Sequence, residues 1–196
     1  MARMARCLLD GGYYHILTRG LDRRRLFRCR QDFEYFLKLM RACRDKYMNF
    51  IIHYCLMPNH IHLLLKMRNG KDLSKFMQSL LQVYAVSYRK KYGSAGFIFQ
   101  NRYKSKLIDN DAYLMECARY IERNPLRAKI IDKLEEYPWS SYHYYSRGKA
   151  DNLINLNNPL YESLGQTAED RRKSYTKYIL QERLYEHIVD QAFRIG

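Results

Sequence analysis

The chain has 196 residues, enough for one domain with a good core, or one domain plus an extension. With 47% hydrophobic residues it can fold without disulfides or a structural metal. Lys and Arg number 35 against 20 Asp and Glu, and a formal charge of +15 points to a polyanionic partner, nucleic acid before a membrane surface, because the chain has no long basic amphipathic helix and no lipidation signal.

In chain order, residues 12–18 (GYYHILT) form an aromatic and β-branched run bounded by glycines and predict a strand. A basic loop follows over 19–25. Apolar positions Phe33, Phe36, Leu37, Met40 and Cys43 recur at helical spacing over 31–47. Residues 50–56 and 60–66 predict two strands joined by a turn at Pro58-Asn59. A helical stripe from Leu73 through Tyr84 continues to about Tyr92, where Gly93 to Gly96 break it. Residues 97–108 predict an extended stretch with a polar loop inside it. Residues 111–123 predict a helix that Asn124-Pro125 interrupts.

The βαββαβ series that opens the chain predicts an α+β fold, a ferredoxin-like antiparallel sheet with helices on one face. Residues 1–145 are read as the catalytic domain, 146–158 as a polar linker and 159–196 as a helical C-terminal extension. The five cysteines include no C-x-x-C pair, which argues against a disulfide framework or zinc knuckle and fits a reducing cytoplasm. The first residues lack the apolar core of a signal peptide, and no segment is apolar enough to span a bilayer.

The densest chemical signal is MPNHIHLLL at 57–65. On a strand, residues i and i+2 face the same way, so His60 and His62 stand side by side, close enough to share one metal ion. An isolated His-x-His also fits two histidines that only pack or hydrogen-bond, so a third ligand decides between the two. Tyr120 and Asn124 lie four apart, on one helical face beside the apolar stripe. Two imidazoles and an amide oxygen would leave a hard cation open positions for water and phosphate, with the Tyr120 phenol aimed at the phosphorus. Asn124 before Pro125 also fits helix capping, and Tyr120 also fits packing. Tyr113, two turns earlier on nearly the same face, is the alternative phenol.

Four segments together resemble the REP-associated tyrosine transposases, a branch of the single-tyrosine HUH transposases. They are GYYHILTRG (12–20), MPNHIHLLL (57–65), GFIFQNRYKS (96–105) and YIERNPLRAKIIDKLEEYPWSSY (120–142), in the family's order. Lys129 and Asn101 stand where the family pattern has glycine, and the chain after residue 150 matches only loosely. The resemblance implies a Mg²⁺ or Mn²⁺ site with His60, His62 and Asn124 as ligands, Tyr120 as nucleophile, and recognition of short DNA hairpins. It further implies cleavage and rejoining of single-stranded or hairpin DNA through a 5′-phosphotyrosine, with no nucleotide cofactor and no membrane, by a monomer or homodimer.

Basic residues Arg19, Arg23, Arg24, Arg25, Arg102 and Lys104 cluster in loops flanking the predicted strands, where they could contact phosphate. His15 reads as structural, and Trp139 and Tyr142 as pins holding the chain after the catalytic helix to the core. Two rivals stand beside the transesterase. One is a domesticated protein that holds hairpin DNA without cutting it; the other is a metal-dependent phosphodiesterase that uses water.

Overall fold

The computed structural model describes residues 7–181. Four strands, β1 (Tyr13–Arg19), β2 (Phe50–Met57), β3 (His60–Lys66) and β4 (Lys104–Ile108), form one sheet in the order β2-β3-β1-β4, with every neighbouring pair antiparallel. Helices α1 (Arg30–Tyr47) and α2 (Asp72–Tyr92) complete the βαββαβ unit. Helix α3 (Asp111–Arg127) follows, then three shorter helices, α4 (Tyr142–Arg147), α5 (Pro159–Glu162) and α6 (Ala168–Leu180).

Strand alternation sorts the sheet into two faces. Tyr14, Ile16, Ile61, Leu63 and Leu65 point toward α1 and α2 and form the main core with Phe36, Met40, Phe76 and Leu80. The opposite face carries Cys55, Met57 and Leu64, which pack under Leu114, Cys117 and Ile121 of α3. The two helices of the ferredoxin-like unit therefore share one face, and α3 covers the other. A bulge between Ile51 and His53 lets Ile52 and His53 both face α3.

Local signals explain the ends of these elements. Asp32 accepts from the Cys29 and Arg28 amides at the start of α1, and Asn110 Oδ1 accepts from the Tyr113 amide at the start of α3. Gly93 ends α2 with a φ of 58°. Of the extended stretch expected at 97–108, only β4 is regular strand, because the polar residues 100–102 leave the sheet after a single bridge between Gly20 and Phe99.

The interruption of the helix that the sequence predicts at Asn124-Pro125 does not occur; α3 runs through it to Arg127. Proline removes the amide that would bond the Ile121 carbonyl. The Asn124 side chain covers this end of the helix, with Nδ2 donating to the Tyr120 carbonyl at 2.7 Å and lying 3.5 Å from that of Ile121. Lys129, just past the helix, has a φ of 53°, which gives a conformational reason for the glycine of the family pattern at that position.

The segment read as a polar linker is packed. Arg44 Nη1 donates to the carbonyls of Asn152 and Leu153, Asn155 exchanges two hydrogen bonds with the backbone of Asn49 and Ile51, and the Tyr54 hydroxyl donates to Asp151. Asn155 thus serves as a partner for backbone at the start of β2, while Leu153, Ile154 and Asn158 are buried. Of the C-terminal extension, α5 and α6 lie within the described residues, and 182–196 fall outside them.

Candidate active site

The hairpin of β2 and β3 sets the position of the two histidines. His60 pairs with Arg19 on β1 and His62 with Leu17, so all four face the α3 side of the sheet at its β1 C-terminal end. A cleft of about 610 Å³ opens there. Its lining includes His60, His62, Tyr120, Asn124, Arg19, Arg23 and Arg25, with Leu17, Met57 and Pro58 as apolar wall. The rings of His60 and His62 lie 5.1 Å apart, and the Tyr120 ring meets His62 edge-on at 5.4 Å. The fold thus brings together residues sixty positions apart that sequence reasoning joined only through a hypothetical shared ligand.

Hydrogen bonds fix which atoms are left to act. Asn59 Oδ1 lies 2.7 Å from His60 Nδ1, so that nitrogen carries the proton and Nε2 keeps a lone pair. Because Asn124 donates through Nδ2 to the helix, its Oδ1 remains for the cleft, and the side chain lies within hydrogen-bonding reach of His60. His62 Nδ1 is 3.1 Å from Nε2 of the fully buried His15. With His15 as acceptor, His62 is protonated at Nδ1 and its Nε2 is bare. Burial pushes His60 down to about 4, with Arg19 adding to the shift and the Asn124 contact opposing it. Burial, then His60, His15 and Arg127, hold His62 well below the usual histidine range, and burial with Lys106 takes His15 down to about 3. All three are neutral at pH 7, the form in which imidazole ligates a metal.

Among the described residues no three His, Cys, Asp or Glu side chains are arranged to hold a metal. The set in the cleft is instead two neutral imidazoles and an amide oxygen, all lone-pair donors, a combination that fits a divalent cation.

The profile described as "Transposase IS200 like" matches residues 9–124, more than half of the chain. The chain belongs to the IS200-like transposase family. A Haemophilus influenzae protein (strain ATCC 51907 / DSM 11121 / KW20 / Rd) that carries the name of a REP-associated tyrosine transposase is 25% identical over 161 residues, 73% of this chain and 86% of that protein. The fold is similar to the solved structure of a REP-associated tyrosine transposase bound to a REP hairpin, with a TM-score of 0.64 at 19% identity, covering 80% of this chain and 92% of the other.

Within this IS200-like transposase the basic residues do not all gather at the cleft. Arg19 and Arg23 line it, with Arg25 beside them. Arg24 turns aside and donates to Ser94 Oγ at 2.9 Å. Arg102 is exposed on its loop, and Lys104 pairs with Leu17 one strand further out; neither lines the cleft. Two residues at the site escaped the sequence reading. His15 was read as structural, yet it holds His62; only the strand register, which a single sequence does not display, puts them together. Arg127 lies with its guanidinium 4.7 Å from the centre of the Tyr120 ring. Its signal was available, since 120, 124 and 127 follow the i, i+4, i+7 spacing of one helical face.

Among the described residues, no helix is long and apolar enough to cross a membrane.

Proposed function

We propose that this protein cleaves and rejoins single-stranded or hairpin DNA by transesterification at Tyr120. The Tyr120 oxygen forms a bond to the scissile phosphorus, the bond to the 3′ oxygen breaks, and the proton lost by the phenol ends on that oxygen. The products are a 5′-phosphotyrosine and a free 3′-hydroxyl. The phosphodiester is conserved, so a DNA 3′-hydroxyl can reverse the step and no nucleotide cofactor is needed. The observation that carries this reading is the convergence of His60, His62, Asn124 and Tyr120 on one cleft.

His60, His62 and Asn124 would hold a Mg²⁺ or Mn²⁺ ion, which when bound polarises a phosphoryl oxygen. Arg19 and Arg23 would receive the backbone phosphates at the cleft mouth, and Arg24, Arg102 and Lys104 would follow the strand beyond it. Hairpin DNA is the substrate favoured by the fold neighbour, which was solved with a REP hairpin.

The test incubates the protein with Mn²⁺ and end-labelled hairpin oligonucleotides and resolves the products on a denaturing gel. A protein–DNA adduct that disappears with excess EDTA, and is lowered by orders of magnitude in His60→Ala or His62→Ala, is the expected result. Cleavage without an adduct would assign the attack to water, and tight hairpin binding without cleavage would leave a binding protein.

A further inference from the structure

We propose that Phe97 is a stacking platform for an unpaired base of the bound DNA; the inference rests on the reading that the cleft takes single-stranded or hairpin DNA. Phe97 is 82% exposed, the most exposed large apolar side chain among the described residues. Single apolar side chains are ordinary at a protein surface, so exposure alone assigns nothing. Here it is selective. Residues 97–99 are all apolar, and the fold takes in two of them. Ile98 is buried in the main core, and Phe99 packs against that core with its ring 6.5 Å from the Tyr84 ring. Gly96, with a φ of 76°, turns the chain just before Phe97, a conformation that a residue with a Cβ rarely adopts.

The segment that presents this ring is tied to the one that lines the cleft. The Leu21 amide donates to the Ile98 carbonyl at 2.9 Å and the Gln100 amide to the Arg19 carbonyl at 3.0 Å, around the bridge between Gly20 and Phe99. On the other side of Phe97, Ser94 Oγ accepts from Arg24 Nη1 at 2.9 Å. The backbone at Phe97 is thus held from both directions, beside the loop whose Arg19, Arg23 and Arg25 line the cleft. A base that stacks on a ring already held in place loses little of the contact energy to ordering the protein.

Charge selects the ligand. From Arg89 to Lys106 the chain carries Arg89, Lys90, Lys91, Arg102, Lys104 and Lys106 and no Asp or Glu, and Asp22 is the one acidic residue in the basic loop across from it. A flat apolar ring in a basic surface suits a ligand that is itself flat and apolar in one part and anionic in another. A nucleotide of single strand has both, a base face and a phosphate. Duplex DNA offers the phosphates but keeps its base faces stacked on one another, so within a hairpin only the unpaired loop or flank can meet Phe97. The ring would then hold a base while the arginines of the basic loop hold the backbone, which makes Phe97 a binding residue and not a catalytic one.

The experiment measures binding of a hairpin with a single-stranded flank, and of blunt duplex, over a salt series. Phe97→Ala should weaken hairpin binding about 10-fold, the scale for loss of one base–aromatic stack, with the salt slope unchanged because no phosphate contact is lost. Phe97→Trp should bind at least as tightly as wild type, Phe97→Leu, apolar but not flat, should behave like Phe97→Ala, and blunt duplex should not respond to any of the three. A second readout locates the contact: 5-iodouracil is placed at each unpaired position in turn, light joins its ring carbon to an aromatic side chain stacked on it with loss of hydrogen iodide, and mass spectrometry should find the crosslink on Phe97. If the hairpin crosslinks to Phe97 but no Tyr120 adduct forms, the transesterase reading fails and this inference stands. If the adduct forms while Phe97→Ala binds the hairpin within about twofold of wild type, that reading stands and this inference fails. A flattened salt slope, an equal loss of blunt-duplex binding, full affinity in Phe97→Leu, crosslinks that avoid Phe97, or a DNA-free dimer that Phe97→Ala dissociates would each overturn it as well.

Discussion

Tyr113 and Tyr120 share a helix and nearly a face, yet their surroundings differ in kind. Tyr120 stands among two imidazoles, an amide and a guanidinium at the cleft. Tyr113 lies under Lys106 at 4.5 Å with its hydroxyl buried and unbonded, and burial raises its pKa. Tyr120→Phe should abolish the covalent adduct while hairpin binding is kept, since only one hydroxyl is lost; Tyr113→Phe should leave the adduct intact. An adduct that survives Tyr120→Phe and vanishes in Tyr113→Phe would move the nucleophile. The histidines give a second prediction. In the folded state His15 and His60 titrate near 3 and 4, below their unfolded value of about 6.5. The unfolded chain therefore binds more protons in that window, and stability falls as pH drops below 6.5. The slope is about 1.4 kcal/mol per pH unit for each buried imidazole until its folded pKa is reached. Urea unfolding of metal-free protein between pH 4 and 8 measures it. His15→Asn should flatten the slope by one proton; an unchanged slope would mean that His15 is already protonated in the fold.

At the scale of elements, α3 carries chemistry on one side and a buried polar lock on the other. Glu122, fully buried, accepts from the Ser141 hydroxyl at 2.6 Å and the Tyr175 hydroxyl at 2.9 Å, with His53 Nδ1 also at 2.9 Å. The direction of the last bond follows from α5. Asn158 caps that helix through Oδ1, so its Nδ2 must donate to His53 Nε2, and the His53 proton sits on Nδ1 facing Glu122. Arg119 and Arg123 of α3 donate to carbonyls at the end of α6, including that of Gln181 from Arg119 and that of Leu180 from Arg123. The C-terminal helices thus hold the helix that bears Tyr120. Glu122→Leu should cost about 3 kcal/mol or more, because three buried donors lose their acceptor at once, and Tyr175→Phe about 1 kcal/mol. Chemical denaturation gives both values. A Glu122→Leu protein as stable as wild type would show the network to be dispensable. None of this was legible in the chain. The strands, α1, α2 and the paired histidines rest on local periodicity, which a sequence displays directly. The lock, the packed 151–158 segment and the continuation of α3 through Pro125 rest on hydrogen bonds between residues far apart in the chain, or on one side chain's choice of partner, and composition reports neither.

For the molecule as a whole, the +15 charge sets how strongly a DNA partner is held, while its distribution sets where. Three arginines, 19, 23 and 25, gather at the cleft mouth, whereas Arg102 stands on an exposed loop outside it. A path from that loop through the cleft that neutralises about five phosphates predicts a slope of log K against log salt near −3.5, at roughly −0.7 per phosphate of single strand. Arg19→Ala should flatten that slope by about 0.7 and slow cleavage as well, because Arg19 flanks His60. Arg102→Ala should flatten the slope equally but leave the single-turnover rate at saturating DNA unchanged, because it stands off the cleft. Arg24→Ala should do less than either, its guanidinium being already engaged with Ser94. Binding of hairpin, single-stranded and blunt duplex DNA over a salt series decides among these. A slope near zero, or equal affinity for all three DNAs, would mean that the positive surface does not track a strand into this cleft. A larger effect of Arg24→Ala than of Arg19→Ala would place the strand's path on the far side of the basic loop, away from the histidines.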